Sequence, residues 1–460
     1  MKNNFVGEPP RERKHRIGTK FVGKLSELIA KGPDPNPRTL VDFTNCTLSL
    51  SLNILLYFSD TVVLFHTPNG CLDEAFSLAY IVNKARSLED QKPFLFELRN
   101  THICTTGLKQ HQVIFGGETK LKKAILEASE RYNPRLIAVM ASCTSAIIGD
   151  DIEMVCREAQ NEIGDQVYVV PFMTHGFQSP AWNNYAYRVW EPLVDHIMQE
   201  PNEIQPETIN FFRPLNMSHH DVEEMERLMD FLDLKVNIFP DFQSIESLEL
   251  APEACLNTGL CKSFHLPVFE RMYERFNTPY TDAPYPCGIE FTKRWLRELG
   301  RKLNRTEDTE RLIELEMQRI TPELERLRSL LQGKTAYVAA NHAKTMSFVQ
   351  VCNDLGLKVL SASTQSTDDS LIEEYQVLKN EVGDFDVHVG SPMYEEMSYL
   401  ARARPDINLV HGELGGFIAS RWGMVGKSTF FYNFQETHFG FQGVIEIGKQ
   451  MVRGLGNPLK

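Results

Sequence analysis

Short apolar runs recur along this chain, and each is followed by turn-forming residues and then by a segment of helical periodicity. DTVVLFH (Asp60 to His66) is apolar on both faces, as a central parallel strand is, and it leads through Pro68-Asn69-Gly70 into CLDEAFSLAY. LIAVMASC (Leu136 to Cys143) leads into IGDDIEMVCREAQNEIG. TINFFRPL (Thr208 to Leu215), SHHDVEEMERLMDFLDL and KVNIFP form one strand–helix–strand unit; TAYVAAN (Thr335 to Asn341), KTMSFVQVCNDLGL and KVLSAST form another. DFDVHVG and INLVHGE continue the series. A chain built this way is restricted to parallel sheets covered by helices, because parallel neighbours require a crossover and the crossover covers the sheet. The expected class is therefore α/β, with Rossmann-like parallel-sheet domains.

The elements divide the chain into an N-terminal arm (1–40), a first α/β domain (41–205), a second (206–304), connecting helices (305–333) and a third α/β domain (334–460). The connector RTEDTERLIELEMQRITPELERLRSLLQ alternates apolar and charged residues at helical spacing. No apolar stretch reaches the ~20 residues of a membrane-spanning helix. The net charge of −13 leaves no basic stripe with which to neutralise a phosphate backbone. The one basic run, Arg11–Arg16, reads as a solvated or interface segment. Neither nucleic acid nor a membrane is an expected partner. The start MKNNFVGEPPRERKHR has no apolar signal core, so the expected compartment is the cytoplasm and the nine cysteines are expected to be reduced.

Three of those cysteines stand where an apolar segment gives way to another element: Cys46 after LVDFTN, Cys71 after the HTPNG turn and Cys143 after LIAVMAS. The carboxyl ends of parallel strands share one rim, and ligands bind there. At the first turn of a helix the dipole favours the thiolate, the form that binds metal. The spacings are wide and no C-x-x-C occurs, which disfavours a zinc ribbon, and three ligands leave a tetrahedral structural site incomplete. A cluster completed by a partner chain fits better. Free cysteine is also a common core residue, so spacing alone leaves packing and ligation both open.

In order along the chain, HTPNGC, VIFGGETKL (Val113 to Leu121), SCTSAIIGDDIE (Ser142 to Glu153) and VYVVPFMTHGFQSPAWNNY (Val167 to Tyr185) resemble the cluster-binding half of nitrogenase component 1 subunits. The resemblance extends, more weakly, to QETHFGFQG near the end. It implies the nitrogenase component 1 fold, with three domains around a cluster site. It implies that Cys46, Cys71 and Cys143 supply three thiolates to an [8Fe-7S] P-cluster shared with a partner subunit. A homodimeric, ATP-hydrolysing iron–sulfur reductase is the implied electron donor, and the implied assembly is an α2β2 heterotetramer.

LAPEACLNTGLCKSF, PYPCGIEFTKRWLREL and QETHFGFQG look similar to β-type chains, which places the catalytic iron–sulfur metallocluster on an α-type partner and leaves this chain no catalytic residue of its own. Divergent motif wording with all three cysteines retained resembles the β-type subunit of a methylthio-alkane reductase, acting by reductive C–S cleavage. The alternatives are a non-catalytic cofactor-assembly scaffold, a conventional or alternative nitrogenase subunit reducing dinitrogen, an α-type subunit using Cys261, and an interaction protein whose cysteines are core. The α-type reading would need a cofactor histidine, and His438 lies displaced from that place towards FGFQG. Cys104, in RNTHICTTG, is the expected fourth participant; Cys156, Cys255, Cys261, Cys287 and Cys352 read as core.

Two further segments carry chemistry only in appearance. GMVGKST (Gly423 to Thr429) lacks the phosphate-loop glycine five positions before Gly426, where Arg421 stands. The acids of TQSTDDSLIEEY (Thr364 to Tyr375) read as helix capping and a solvated face.

Overall fold

A computed structural model describes residues 17–18, 20–32, 46–75, 100–176, 184–213, 217–241, 243–340, 342–364, 366–410, 425–428 and 437–456. The basic run Arg11–Arg16, the LVDFTN segment before Cys46, most of GFQSPAW, Arg421 and the stretch before Thr437 lie outside them.

The first sheet holds β1 (Thr61–His66), β2 (His102–Thr105), β3 (Leu136–Ala141) and β4 (Tyr168–Phe172), all parallel in the order β2-β1-β3-β4. Every residue of β1 and β3 is buried, which accounts for their unbroken apolar runs. Helices α1 (Thr47–Leu55), α2 (Glu118–Tyr132), α3 (Cys143–Ile148), α4 (Ile152–Ile163) and α5 (Asn184–His196) belong to this part of the chain. The faces separate cleanly. Leu121, Ile125, Val155 and Cys156 of α2 and α4 pack with Val62, Leu64, Ile137 and Val139 in one cluster, while Val63, Phe65, Ala138 and Met140 point into the larger core with α1 and α5.

The second sheet is β5 (Gln205–Phe212), β6 (Lys235–Phe239) and β7 (Ala254–Gly259), parallel in the order β6-β5-β7, followed by α7 (Lys262–Phe276) and α8 (Ile289–Lys302); α6 (His219–Phe231) makes the β5–β6 crossover. Trp190 of α5 joins the first two sheets, its ring 5.0 Å from Phe212 and 6.1 Å from Phe58. The connector is one 26-residue helix, α9 (Thr306–Leu331), whose buried stripe Leu312, Glu316, Ile320, Leu324, Leu327 and Leu331 repeats at helical spacing. Glu316 lies in that stripe because Arg227 of α6 reaches it with two bonds, of 2.7 and 2.8 Å.

The third sheet is β8 (Thr335–Ala340), β9 (Lys358–Thr364), β10 (Asp386–Val389), β11 (Ile407–Val410) and β12 (Val425–Ser428), with α10 (His342–Asp354) joining β8 to β9. Its order is β12-β11-β8-β9-β10, and the N-terminal strand Phe21–Lys24 closes the far edge antiparallel to β10, with Lys24 opposite Asp386 and Phe21 opposite Val389. Part of the segment expected as an N-terminal arm is therefore an edge strand of the last sheet, and Leu25 and Leu28 of the helix after it are buried in the core. Gly426, Lys427 and Ser428 are strand residues paired with β11, not a phosphate-cradling turn before a helix. Helices α11 (Ile372–Glu381) and α12 (Gly440–Gly456) complete this part. Among the described residues, no helix is long and apolar enough to cross a membrane.

Candidate functional site

β1 and β3 are adjacent and in register to their ends, His66 opposite Ala141. The chain leaves β1 through Thr67-Pro68, and a helix begins at residue 69, so Cys71 lies in its first turn. Cys143 is the first residue of α3, two positions beyond β3. Cys46 is the N-cap of α1. A short link from Leu55 to Thr61 joins α1 to β1. Cys71 and Cys143 thus follow the carboxyl ends of two adjacent parallel strands, Cys46 caps the helix that precedes the first of them, and each is partly exposed. The amide of Gly176 donates to Cys143 Sγ at 3.3 Å.

Cys104 does not reach this rim. It lies opposite Leu64 within β2, packs with Tyr132 on the α2/α4 face, and burial raises its thiol above the ordinary range. The expectation of a fourth rim participant fails because strand alternation points Cys104 to the other face. Cys156, Cys255, Cys261, Cys287 and Cys352 are buried, as expected of core thiols. Burial pushes Cys156 up to about 12 and Cys255 up to about 11, away from reactivity. Among the described residues, no group of three or more His, Cys, Asp and Glu side chains is placed to hold a metal ion.

Beneath the rim the three sequence motifs meet through side chains whose joint role no local pattern signals. His66, of HTPNGC, is fully buried; its Nε2 lies 2.7 Å from Asp150 Oδ2, of IGDD, and its Nδ1 lies 3.1 Å from Thr106 Oγ1. Asp150 Oδ1 accepts from the amide of Gly117, of FGG, at 2.8 Å. Burial lowers the His66 pKa, against the pull of Asp150. Gly117 is required by space: a Cβ there would stand 2.8 Å from both Asp150 Oδ2 and His66 Cε1. Gly116 adopts φ +93°, a backbone position suited to glycine. Asp151 caps α4 through the amide of Met154, and its own amide donates to Glu118 Oε1 at 2.8 Å. Ser142 Oγ donates to the carbonyl of His66 at 2.9 Å, tying the exits of β1 and β3 together. A polar residue closing a wholly apolar strand was the one signal in the sequence for His66.

An apolar patch stands next to the rim. On the short helix Gln110–Phe115, Ile114 and Phe115 are 72% and 75% exposed; on the adjoining α3, Ile147 is 72% exposed. Large side chains grouped on a surface in this way mark an interaction site.

Cys261 occupies a different place, the N-cap of α7, which follows β7 of the second sheet. The next residue, Lys262, is buried, and its ammonium reaches Asp282 at 2.7 Å, the carbonyl of Ser370 at 3.0 Å and Glu374 of α11 at 3.1 Å. Glu374 was expected on a solvated face; it is buried instead, and burial raises its pKa against the pull of Lys262. The capping expectation for the same segment is met at Asp368, which accepts from the amide of Ser370 at 2.9 Å. Lys344 of α10 is also buried here, within charge–charge range of Asp221, Cys287 and Cys261, and its pKa is lowered by desolvation. His438 is buried; its backbone amide donates to Asp221 Oδ1 at 2.6 Å, and its ring meets Phe348 edge-on at 5.8 Å.

Residues 46–455 match the family described as nitrogenase component 1 type oxidoreductase. The nitrogenase iron-molybdenum cofactor biosynthesis protein NifE of a Nostoc species is 28% identical over 425 residues, covering 90% of this chain and 83% of that protein. The nitrogenase molybdenum-iron protein alpha chain of Methanothermobacter thermautotrophicus is 27% identical over 410 residues, covering 87% of this chain and 85% of that one. Among solved structures, nitrogenase Cp1 at pH 6.5 superposes with a TM-score of 0.73 at 21% identity, covering 92% of this chain and 90% of that one.

Proposed function

The chain belongs to the nitrogenase component 1 type oxidoreductases, and on that basis we propose that it is one subunit of a two-subunit iron–sulfur complex driven by a separate reductase. The family binds iron–sulfur clusters, and this reading rests on Cys71 and Cys143 following adjacent parallel strands, with Cys46 capping the helix before the first of them. Soft thiols on three elements, each partly exposed, suit half of an [8Fe-7S] cluster whose remaining ligands come from a second chain. When bound, such a cluster supplies one-electron redox chemistry. The chain's own part is to present the thiols at a fixed rim and to bury them against the partner. The patch of Ile114, Phe115 and Ile147 beside that rim is the proposed landing surface for the ATP-hydrolysing reductase.

For the subunit type, the relatives favour the alternative over the first expectation. They are named alpha chain and NifE, while the β-type methylthio-alkane reductase reading rests on motif wording alone. In the α-type or NifE-type reading, Cys261 is the thiol of this chain that faces the active or precursor cluster, and the larger metallocluster belongs here, not on the partner. Its position at the N-cap of α7, near the buried Lys344, supports that assignment: the positive end of the helix and a buried cation both favour an anionic group.

The test is anaerobic purification with the natural partner, followed by iron, acid-labile sulfide, molybdenum and vanadium analysis. Wild type should carry iron beyond one shared cluster. Cys71→Ala should lose the shared cluster's portion, and Cys261→Ala should lose the remainder while keeping the shared portion. Iron unchanged in Cys261→Ala would return the chain to the β-type reading, and iron unchanged in Cys71→Ala would make the rim cysteines packing residues. Substrate turnover separates a catalyst from an assembly scaffold, and turnover of methylthio-alkanes or dinitrogen would name the substrate.

A further inference from the structure

The hydrogen bonds of His66 and Asp150 join segments that are far apart in sequence. His66 is the last residue of β1 and begins the turn that carries Cys71. Asp150 follows α3, the helix that starts with Cys143. Through Gly117 the pair holds the start of α2 and through Thr106 the loop after β2, while Ser142 bonds the backbone carbonyl of His66 at the exit of β3. The same two anchor points flank the apolar patch: Phe115 is two residues before Gly117, and Ile147 three before Asp150. Cys46 is attached differently. It rides on α1, and among the described residues the pair makes no hydrogen bond to that helix.

We propose that His66 and Asp150 are positioning residues that lock the Cys71 turn, the Cys143 helix and the apolar patch into one rigid unit; the role given to the patch rests on the docking reading above. A reductase landing on the patch then meets the two thiols at a fixed distance and orientation. The physical basis is the cost of opening. The imidazole and carboxylate are 0% and 2% exposed, so separating them leaves polar atoms buried without their best partners. The Gly117 amide on the second carboxylate oxygen prevents Asp150 from rotating away without a further loss.

The experiment uses the full chain, purified anaerobically without cluster, and iodoacetamide as the probe, with alkylation of each cysteine quantified by peptide mass spectrometry. Asp150→Ala should raise the rates at Cys71 and Cys143 at least about tenfold relative to Cys46, as when local opening becomes about 1.4 kcal/mol easier. Asp150→Asn keeps one acceptor and should fall between wild type and Asp150→Ala. An even rise at all three cysteines, or no rise, overturns the proposal. Should Asp150→Ala not fold, His66→Gln, which keeps a donor for Asp150, should raise the rates at Cys71 and Cys143 relative to Cys46 above those of wild type, and no relative rise overturns the proposal. Hydrogen exchange on the wild type is a second reading: the Gly117 amide should be strongly protected, and exchange at the open-chain rate would refute the lock. None of these readouts depends on the reductase, so a failure of the docking reading leaves the result intact.

Discussion

Replacing Lys262 with Met removes one charge from the junction between α7 and α11 while nearly conserving volume. In wild type the ammonium is buried with Glu374 at 3.1 Å, and Asp282, the other carboxylate, is 2.7 Å away with its side chain 30% exposed. Asp282 can therefore turn to water when Lys262 is lost. Glu374 cannot, and it relieves its charge by taking up a proton. That relief caps the electrostatic loss at about 1.4 kcal/mol per pH unit above the ordinary glutamate value of about 4.3. The ceiling is then about 5 kcal/mol at pH 8 and about 2 kcal/mol at pH 5.5, in line with the ~3–5 kcal/mol typical of a buried pair that loses one member. The sign follows from the raised carboxyl: stability present below the ordinary value is lost as pH rises through the folded one. Urea unfolding at pH 5.5 and 8 reads the loss, and hydrogen exchange of residues 262–276 and 372–381 locates it. The double variant Lys262→Met with Glu374→Leu should recover at least half of the loss at pH 8, because no buried charge remains at Glu374's place. A loss under about 1 kcal/mol at pH 8, or one equal at both pH values, would refute the account.

Gly117→Ala should drive a methyl into the His66–Asp150 pair and destabilise the first domain by about 1–3 kcal/mol, with less iron retained; urea unfolding and iron analysis check this. Ile147→Glu should leave stability within about 0.5 kcal/mol, since the side chain stands in solvent. The same variant should slow reductase-driven electron transfer at least about tenfold, as is common when a docking patch is charged, and dithionite should still reduce the cluster. Asp354 is pushed up to about 7 by burial, while the amide of Ile289 donates to it at 2.6 Å. A raised carboxyl favours the folded chain below its ordinary value and loses that contribution as pH climbs to about 7. Asp354→Asn keeps an acceptor for Ile289, so its unfolding free energy should fall less than that of wild type between pH 4 and 7, and urea titrations across that range decide the point.

The fold class was legible because strand and helix periodicities are local. Val62 to Phe65 and Ile137 to Met140 are apolar at every position, which fits only a strand covered on both faces. The positions of Cys71 and Cys143 were legible for the same reason: once β1 and β3 are parallel, the residues after them share a rim. The role of Cys104 was not, because its facing depends on where β2 begins, and a shift of one residue inverts it. For the subunit type the sequence offers only motif wording, while the relatives carry alpha-chain and NifE names.

What the sequence determined by itself is therefore a repeated unit, a class of sheet and the ends at which thiols are delivered, all set by periods of two and about 3.6 residues within one segment. Tertiary structure alone decided which polar residues are buried and with whom. Phe21–Lys24 became the last strand of a sheet whose other members begin at Thr335, because that sheet had an unpaired edge. Glu374, one acid among several in its loop, became a buried partner of Lys262 because α11 closes over the start of α7. His66, Gly117 and Asp150, scattered over three motifs, became a single contact. Burial depends on which faces meet across the whole chain, and no local pattern encodes that.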